Sequence, residues 1–226
     1  KYDVITGNLD GAFTETMWDE GKQYWEKSPT NDVETWMGIC HGWAPAAYMV
    51  PRPSTPVKVQ APASAGSISI TFYPADLKAL SSLLWARANP SARFIGGRCN
   101  DKNPEIDANG RVISSDCFDT NPGTWHKAIV NQIGVAKRSF VMDATFDYEV
   151  WNQPVEGYRY SYFNPQTQAP VDSLVGATVQ KGQFTNDKFA KTRSPQATQF
   201  VGVVMDVTYV VETQPRHLTK DTSDYD

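Results

Sequence analysis

The chemistry in this sequence centres on Cys40. A thiol attacks an acyl carbon well only as thiolate, and a helix N-terminus together with a neighbouring imidazole favours that ion. Met37-Gly38-Ile39-Cys40-His41-Gly42-Trp43-Ala44-Pro45-Ala46 supplies such a setting, with Gly38 and Gly42 allowing a tight backbone before a helix begins. The chain has three cysteines. Cys99 (GGRCND) and Cys117 (SSDCFD) flank a polar, turn-rich segment, and their spacing suits a disulfide worth about 3 kcal/mol in the chain-entropy account. Cys40 is then the thiol left over, either a reactive group or a small buried hydrophobe.

A nucleophilic thiol needs a base, and three histidines are available. His217 lies in a polar stretch, TQPRHLTKD, and reads as a surface residue. His41 is adjacent to Cys40, but neighbours at a helix start point in different directions. His126 opens HKAIVNQIG, which reads as an alternating strand, with Trp125 beside it to exclude water. A base and a third group that fixes its tautomer complete the logic of a triad. Asp143 fits that third role. It sits in the apolar run Phe140-Val141-Met142-Asp143-Ala144-Thr145, where an unpaired carboxylate is costly to bury. A turn around Gly134–Lys137 would set His126 and Asp143 side by side on adjacent antiparallel strands. Asp147 is the substitute.

The elements that must hold these residues fall into two textures. Thr14–Lys27 carries Met17, Trp18, Gly21, Tyr24 and Trp25 at helical spacing, which predicts an amphipathic helix with an aromatic face. A second helix begins around Cys40–Pro45, since Pro is tolerated in a first turn, and stops at Pro51. Val57–Gln60 is a short strand, 67–73 alternates like another, and the following PADLKALSSLLWARA is helical with Asp76 near its start. Residues 96–123 read as loop. From His126 onward the sequence turns to β: 126–134, 138–151, 156–163 and 199–212 are rich in β-branched and aromatic residues. Helices first and strands second predict an α+β fold, with N-terminal helices packed on an antiparallel sheet. One domain spans 1–226, helical over about 1–95 and β-rich over about 124–214, with a polar tail at 215–226.

Composition excludes several classes. At 226 residues, 40% hydrophobic and 12% aromatic, the chain can bury a core. A net charge of −4 without a basic stripe argues against nucleic acid. No apolar run is long enough to span a membrane, which argues against a membrane partner. The opening at Lys1 lacks a signal-like segment and reads as a mature or trimmed product, which leaves open whether a signal or pro-segment once preceded it.

The order of Cys at a helix start, then His, then Asp resembles the papain-like and transglutaminase superfamily. Where papain-like proteases carry an oxyanion-donating Gln, this chain has Glu34, a poor donor when ionised. A transglutaminase instead uses the cysteine's backbone N–H and an indole N–H, for which Trp36 or Trp125 is available. A sharper resemblance lies in Val150-Trp151-Asn152-Gln153-Pro154-Val155-Glu156-Gly157-Tyr158, which is similar to the peptide of the Phytophthora cell-wall transglutaminases that plants recognise as elicitors. Glu156 replaces a basic residue of that peptide.

The resemblance to the transglutaminase elicitor family implies a papain/transglutaminase-like core and a secreted protein-glutamine γ-glutamyltransferase. Cys40, His126 and Asp143 would form its catalytic triad, and protein or peptide glutamine donors and lysine or other amine acceptors would be its substrates. Trp43, Trp125 and Trp151 would exclude water, deciding between crosslinking and deamidation. No organic cofactor is implied. Calcium is, because activity in this family is regarded as calcium-dependent. Glu105, Asp107, Asn109 and Asp116 approximate the ligand spacing of a calcium loop, although the same residues read at least as well as a hairpin turning at Asn109-Gly110. Two other functions use the same residues: a cysteine peptidase or deamidase, and a non-catalytic elicitor module displaying VWNQPV.

Overall fold

The computed structural model describes residues 1–145, 147–221 and the backbone of 224 and 225. Phe146 of the predicted strand 138–151, and residues 222, 223 and 226 of the predicted tail, lie outside the described residues. The fold mixes helices with antiparallel strands, as the α+β reading requires. Two compact units emerge, one made of 1–92, 140–154 and 210–226, the other of 93–139 and 155–209.

The first unit opens with α1 (Tyr2–Thr6) and α2 (Ala12–Lys27). Asp3 ties them together, accepting hydrogen bonds from the Phe13 and Thr14 backbone N–H groups at 3.2 Å each. Helix α3 (Cys40–Met49) follows, then the hairpin of β1 (Val57–Gln60) and β2 (Ser69–Phe72), paired from Val57↔Phe72 to Gln60↔Ser69. Helix α4 (Pro74–Arg87) begins where Pro occupies the first helical position and the Asp76 carboxylate accepts the Tyr73 N–H at 2.8 Å.

The packing of α3 on α4 is set by small residues. Gly42, Ala44 and Ala46 are buried, and a Cβ placed on Gly42 would lie 2.6 Å from the Ala86 Cβ and collide with the Ser82 carbonyl. Only glycine lets the two backbones approach this closely. Strand β3 (Val141–Asp143) pairs antiparallel with the start of β4 (Asn152–Phe163), in the register Val141↔Pro154, Met142↔Gln153 and Asp143↔Asn152.

In the second unit Cys99 and Cys117 form the predicted disulfide. A bridge between Ile106 and Val112 closes a small hairpin inside that loop. Helix α5 (Pro122–Ile129) runs into a π-helical turn, Val130–Val135, and Gly134 there passes so close to Tyr158 that a Cβ would lie 2.6 Å from the phenol oxygen. The remainder of β4 pairs with β7 (Gln199–Val211), with a bulge between Val155 and Gly157. The short strands β5 (Pro170–Val171) and β6 (Thr178–Gln180) add to β4 and β7, with α6 (Leu174–Ala177) between them in sequence. Strand β8 (Asp224–Tyr225) pairs with Val210 and Val211 in the first unit.

Four local expectations are corrected. The predicted strand at 126–134 is α5 and its π-helical extension, because the Asn121 side chain caps Gly123 and Thr124 at 3.0 and 3.2 Å and Pro122 is preset for a first turn. That start signal outweighs the β-branched residues behind it. The predicted strand over 138–151 shrinks to three residues, since Asp143 and Asp147 turn their carboxylates onto the Thr145, Trp151 and Glu149 N–H groups that a ladder would use. The aromatic face of α2 is not buried: Trp18 is 76% and Tyr24 64% exposed. Pro45 lies inside α3 rather than in its first turn, so the His41 carbonyl lacks its helical donor.

Candidate active site

Cys40 is the first residue of α3 and the free thiol of the chain's three cysteines. It is half-buried. Two groups from the segment just before and at the start of β4 meet its sulfur. The Asn152 side-chain amide donates to Sγ at 3.1 Å, and the Val150 carbonyl accepts from the thiol at 3.7 Å. A neutral thiol can donate to the carbonyl, whereas a thiolate can only accept from the amide N–H.

The segment carrying Asn152 is held on both sides. Asp143 Oδ1 accepts the Trp151 backbone N–H at 3.1 Å, and the Trp151 indole donates to Glu149 at 2.9 Å. On the far side the Gln153 side-chain amide donates to Glu212 at 3.3 Å. Asn152 thus projects from a strand start whose neighbours on each side are anchored, and Asp143 is its register partner. Asp143 departs from expectation in two ways. It is exposed rather than buried, and its rung partner across the ladder is Asn152, not His126. Its described hydrogen bonds come from Thr145 and Trp151.

Trp36 lies shortly before Cys40, its ring edge-on to Tyr148 with centroids 6.1 Å apart. Its indole nitrogen is buried and has no acceptor among the described residues. A buried donor without a partner costs free energy unless something supplies an acceptor, and a developing oxyanion is one such acceptor. Trp43 is half-buried on α3.

His126 and Trp125 belong to the second unit, on α5, both half-buried. The imidazole meets the Tyr160 ring edge-on at 5.3 Å, and Tyr160 stands in a row with Tyr158 and Tyr162 on β4. Of the other histidines, His41 is exposed. His217 lies on the surface as expected, where it stacks on Tyr73 at 5.0 Å with a nitrogen 3.8 Å from Asp76.

Of the residues expected to approximate a calcium loop, Asp107 is engaged within the hairpin. Asp107 Oδ1 already accepts the Asn109 and Arg111 N–H groups at 2.8 and 3.0 Å inside the hairpin. Those hydrogen bonds, from Arg111 and then Asn109, hold its carboxyl below the usual range. Among the described residues no three His, Cys, Asp or Glu side chains converge as ligands, Glu105, Asp107 and Asp116 included.

Asn152 is the residue that sequence reasoning passed over. VWNQPV drew attention as a signature, but nothing in its spacing shows that an amide from β4 reaches a sulfur 112 positions away. That contact depends on tertiary packing.

Comparison with known proteins identifies the family and a similar fold. The family model described as "Transglutaminase elicitor" matches residues 22–216. The crystal structure of the GP42 transglutaminase from Phytophthora sojae is similar at a TM-score of 0.55 and 26% identity, covering 85% of this chain and 47% of that one. The chain therefore spans about half the length of that solved structure. Among curated proteins, none matches.

Proposed function

The chain belongs to the transglutaminase elicitor family, and on that footing we propose that it is a protein-glutamine γ-glutamyltransferase with Cys40 as its nucleophile. The observation that carries this reading is the free, half-buried thiol at the first residue of α3, met by an amide N–H donor at 3.1 Å.

The Cys40 thiolate attacks the carbonyl carbon of a glutamine side-chain amide, and negative charge gathers on the oxygen. Trp36, whose buried indole N–H lacks an acceptor among the described residues, is the proposed donor to that oxyanion. The carbon–nitrogen bond breaks as His126 gives a proton to the departing ammonia, leaving a thioester. A lysine amine then attacks the thioester carbon, His126 takes its proton, and the sulfur leaves as thiolate, so that an isopeptide bond joins the two chains. Water in place of the amine yields glutamate, and the half-buried Trp43, Trp125 and Trp151 favour the amine by limiting water. Asp143, expected as the third member of a triad, supports this chemistry by accepting the Trp151 N–H and so fixing the segment that carries Asn152. Calcium and organic cofactors have no step in this scheme.

We place the protein outside the cell, where a disulfide such as Cys99–Cys117 persists. Among the described residues no helix is long and apolar enough to cross a membrane. The non-catalytic elicitor reading is disfavoured by burial, since Gln153, Pro154 and Val155 of VWNQPV are all turned inward.

The test is incorporation of a fluorescent primary amine into a glutamine-rich protein. We expect incorporation by the native chain, none by Cys40→Ala and almost none by His126→Ala. Cleavage of the acceptor protein without incorporation would establish the peptidase instead.

A further inference from the structure

We propose that Asn152 is a further catalytic residue, whose side-chain amide stabilises the Cys40 thiolate and aims it at the acyl carbon. This deepens the transferase reading and rests on Cys40 being its nucleophile. Three observations support it. The amide nitrogen lies 3.1 Å from Sγ, the distance of a direct hydrogen bond to the reacting atom. The other described polar contact to the sulfur, the Val150 carbonyl, can only accept and so favours the neutral thiol. The segment presenting the amide is clamped at Trp151 by Asp143 and at Gln153 by Glu212, so the donor is held in place before ionisation and needs no reorganisation.

A hydrogen bond donated to a charged acceptor is worth more than one to its neutral form. The Asn152 amide therefore stabilises the nucleophilic form of the sulfur, and the Val150 carbonyl accepts the thiol hydrogen only while the sulfur is neutral. The inference also gives VWNQPV a catalytic reason to exist in this chain. Its asparagine serves the sulfur while its glutamine and proline anchor the strand in the interior.

The test uses the full chain and a readout independent of transferase activity: the rate of Cys40 alkylation by iodoacetamide as a function of pH, with Cys99 and Cys117 left paired. Asn152→Ala should slow alkylation at neutral pH by about tenfold, with the native rate regained in alkaline solution where the thiol ionises unaided. Asn152→Asp, which keeps the shape but presents an anion in place of the donor, should slow it more. Circular dichroism confirms that each variant is folded, and Asn152→Ser serves where Ala does not fold. A native-like curve for either Asn152→Ala or Asn152→Asp overturns the proposal. If the alkylation curves move as expected but no amine is incorporated by the native chain, the donor role stands and the transferase reading fails. If amine incorporation is strong and alkylation is indifferent to residue 152, the reverse holds.

Discussion

Asp143 and Asn152 face each other as register partners across β3 and β4, and the carboxylate of the first accepts the backbone N–H of the residue that precedes the second. A side chain chosen for its charge thus acts, in this fold, as the acceptor that closes the turn between the two strands. Its neighbour across the rung reaches the sulfur of Cys40.

This arrangement separates two roles for Asp143. An acceptor for the Trp151 N–H survives in Asp143→Asn, whose amide oxygen can take its place, but is lost in Asp143→Ala. We expect Asp143→Asn to reduce amine incorporation by less than about tenfold, and Asp143→Ala to reduce it by about tenfold or more. The alkylation curve of Cys40 should move only in the alanine variant. A large loss in Asp143→Asn would instead assign the work to the negative charge, as a triad requires.

Trp36→Phe keeps the ring against Tyr148 and deletes a buried N–H that has no acceptor among the described residues. Stability should stay level or rise, because an unsatisfied donor is removed. Turnover should fall by about a hundredfold with little change in KM, the pattern of a group that acts only on the transition state. Steady-state kinetics beside a thermal melt would separate the two effects.

Gly42→Ala forces a methyl group into the backbone of α4. The cost should be about 1–3 kcal/mol, at the level of other overpacked cores, visible as a lowered Tm. Since α3 carries Cys40 at its first residue, activity should fall even at temperatures where the variant is folded.

Acid should loosen the hold of Arg52 and Lys78 on Asp221. Burial works against that carboxylate, but hydrogen bonds and charges from Lys78 and Arg52 outweigh it and hold its carboxyl below the ordinary range. A lowered folded value means that the contribution is full above the unfolded value near 3.8 and disappears as the pH falls through the folded one. Limited proteolysis should therefore begin to clip near residue 221 only in strongly acidic solution, and in Asp221→Asn already at neutral pH.

The N-terminal half of this fold was legible because its signals are local. Helix α4 announces itself with Pro74 and Asp76, and β1 and β2 by alternation. Cys40 at a helix start could be read from the glycines and alanines around it, and the disulfide from the company Cys99 and Cys117 keep. The β-rich half was harder. The strand reading of 126–134 weighed Ile129, Val130 and Ile133 above the Asn121-Pro122 start signal, and helix nucleation prevailed. Asp143 was read as buried because its neighbours are apolar, yet a three-residue strand leaves its side chain room to fold back on the turn. The contact between Asn152 and Cys40 has no local signature, since it joins residues from opposite halves of the chain.

The inward orientation of Gln153, Pro154 and Val155 reaches into immunology. An antibody raised against the free VWNQPV hexapeptide would find half of its target sequestered in the folded molecule. Such a serum would bind denatured chain in preference to native, and its signal would gauge damage to the protein rather than the amount present.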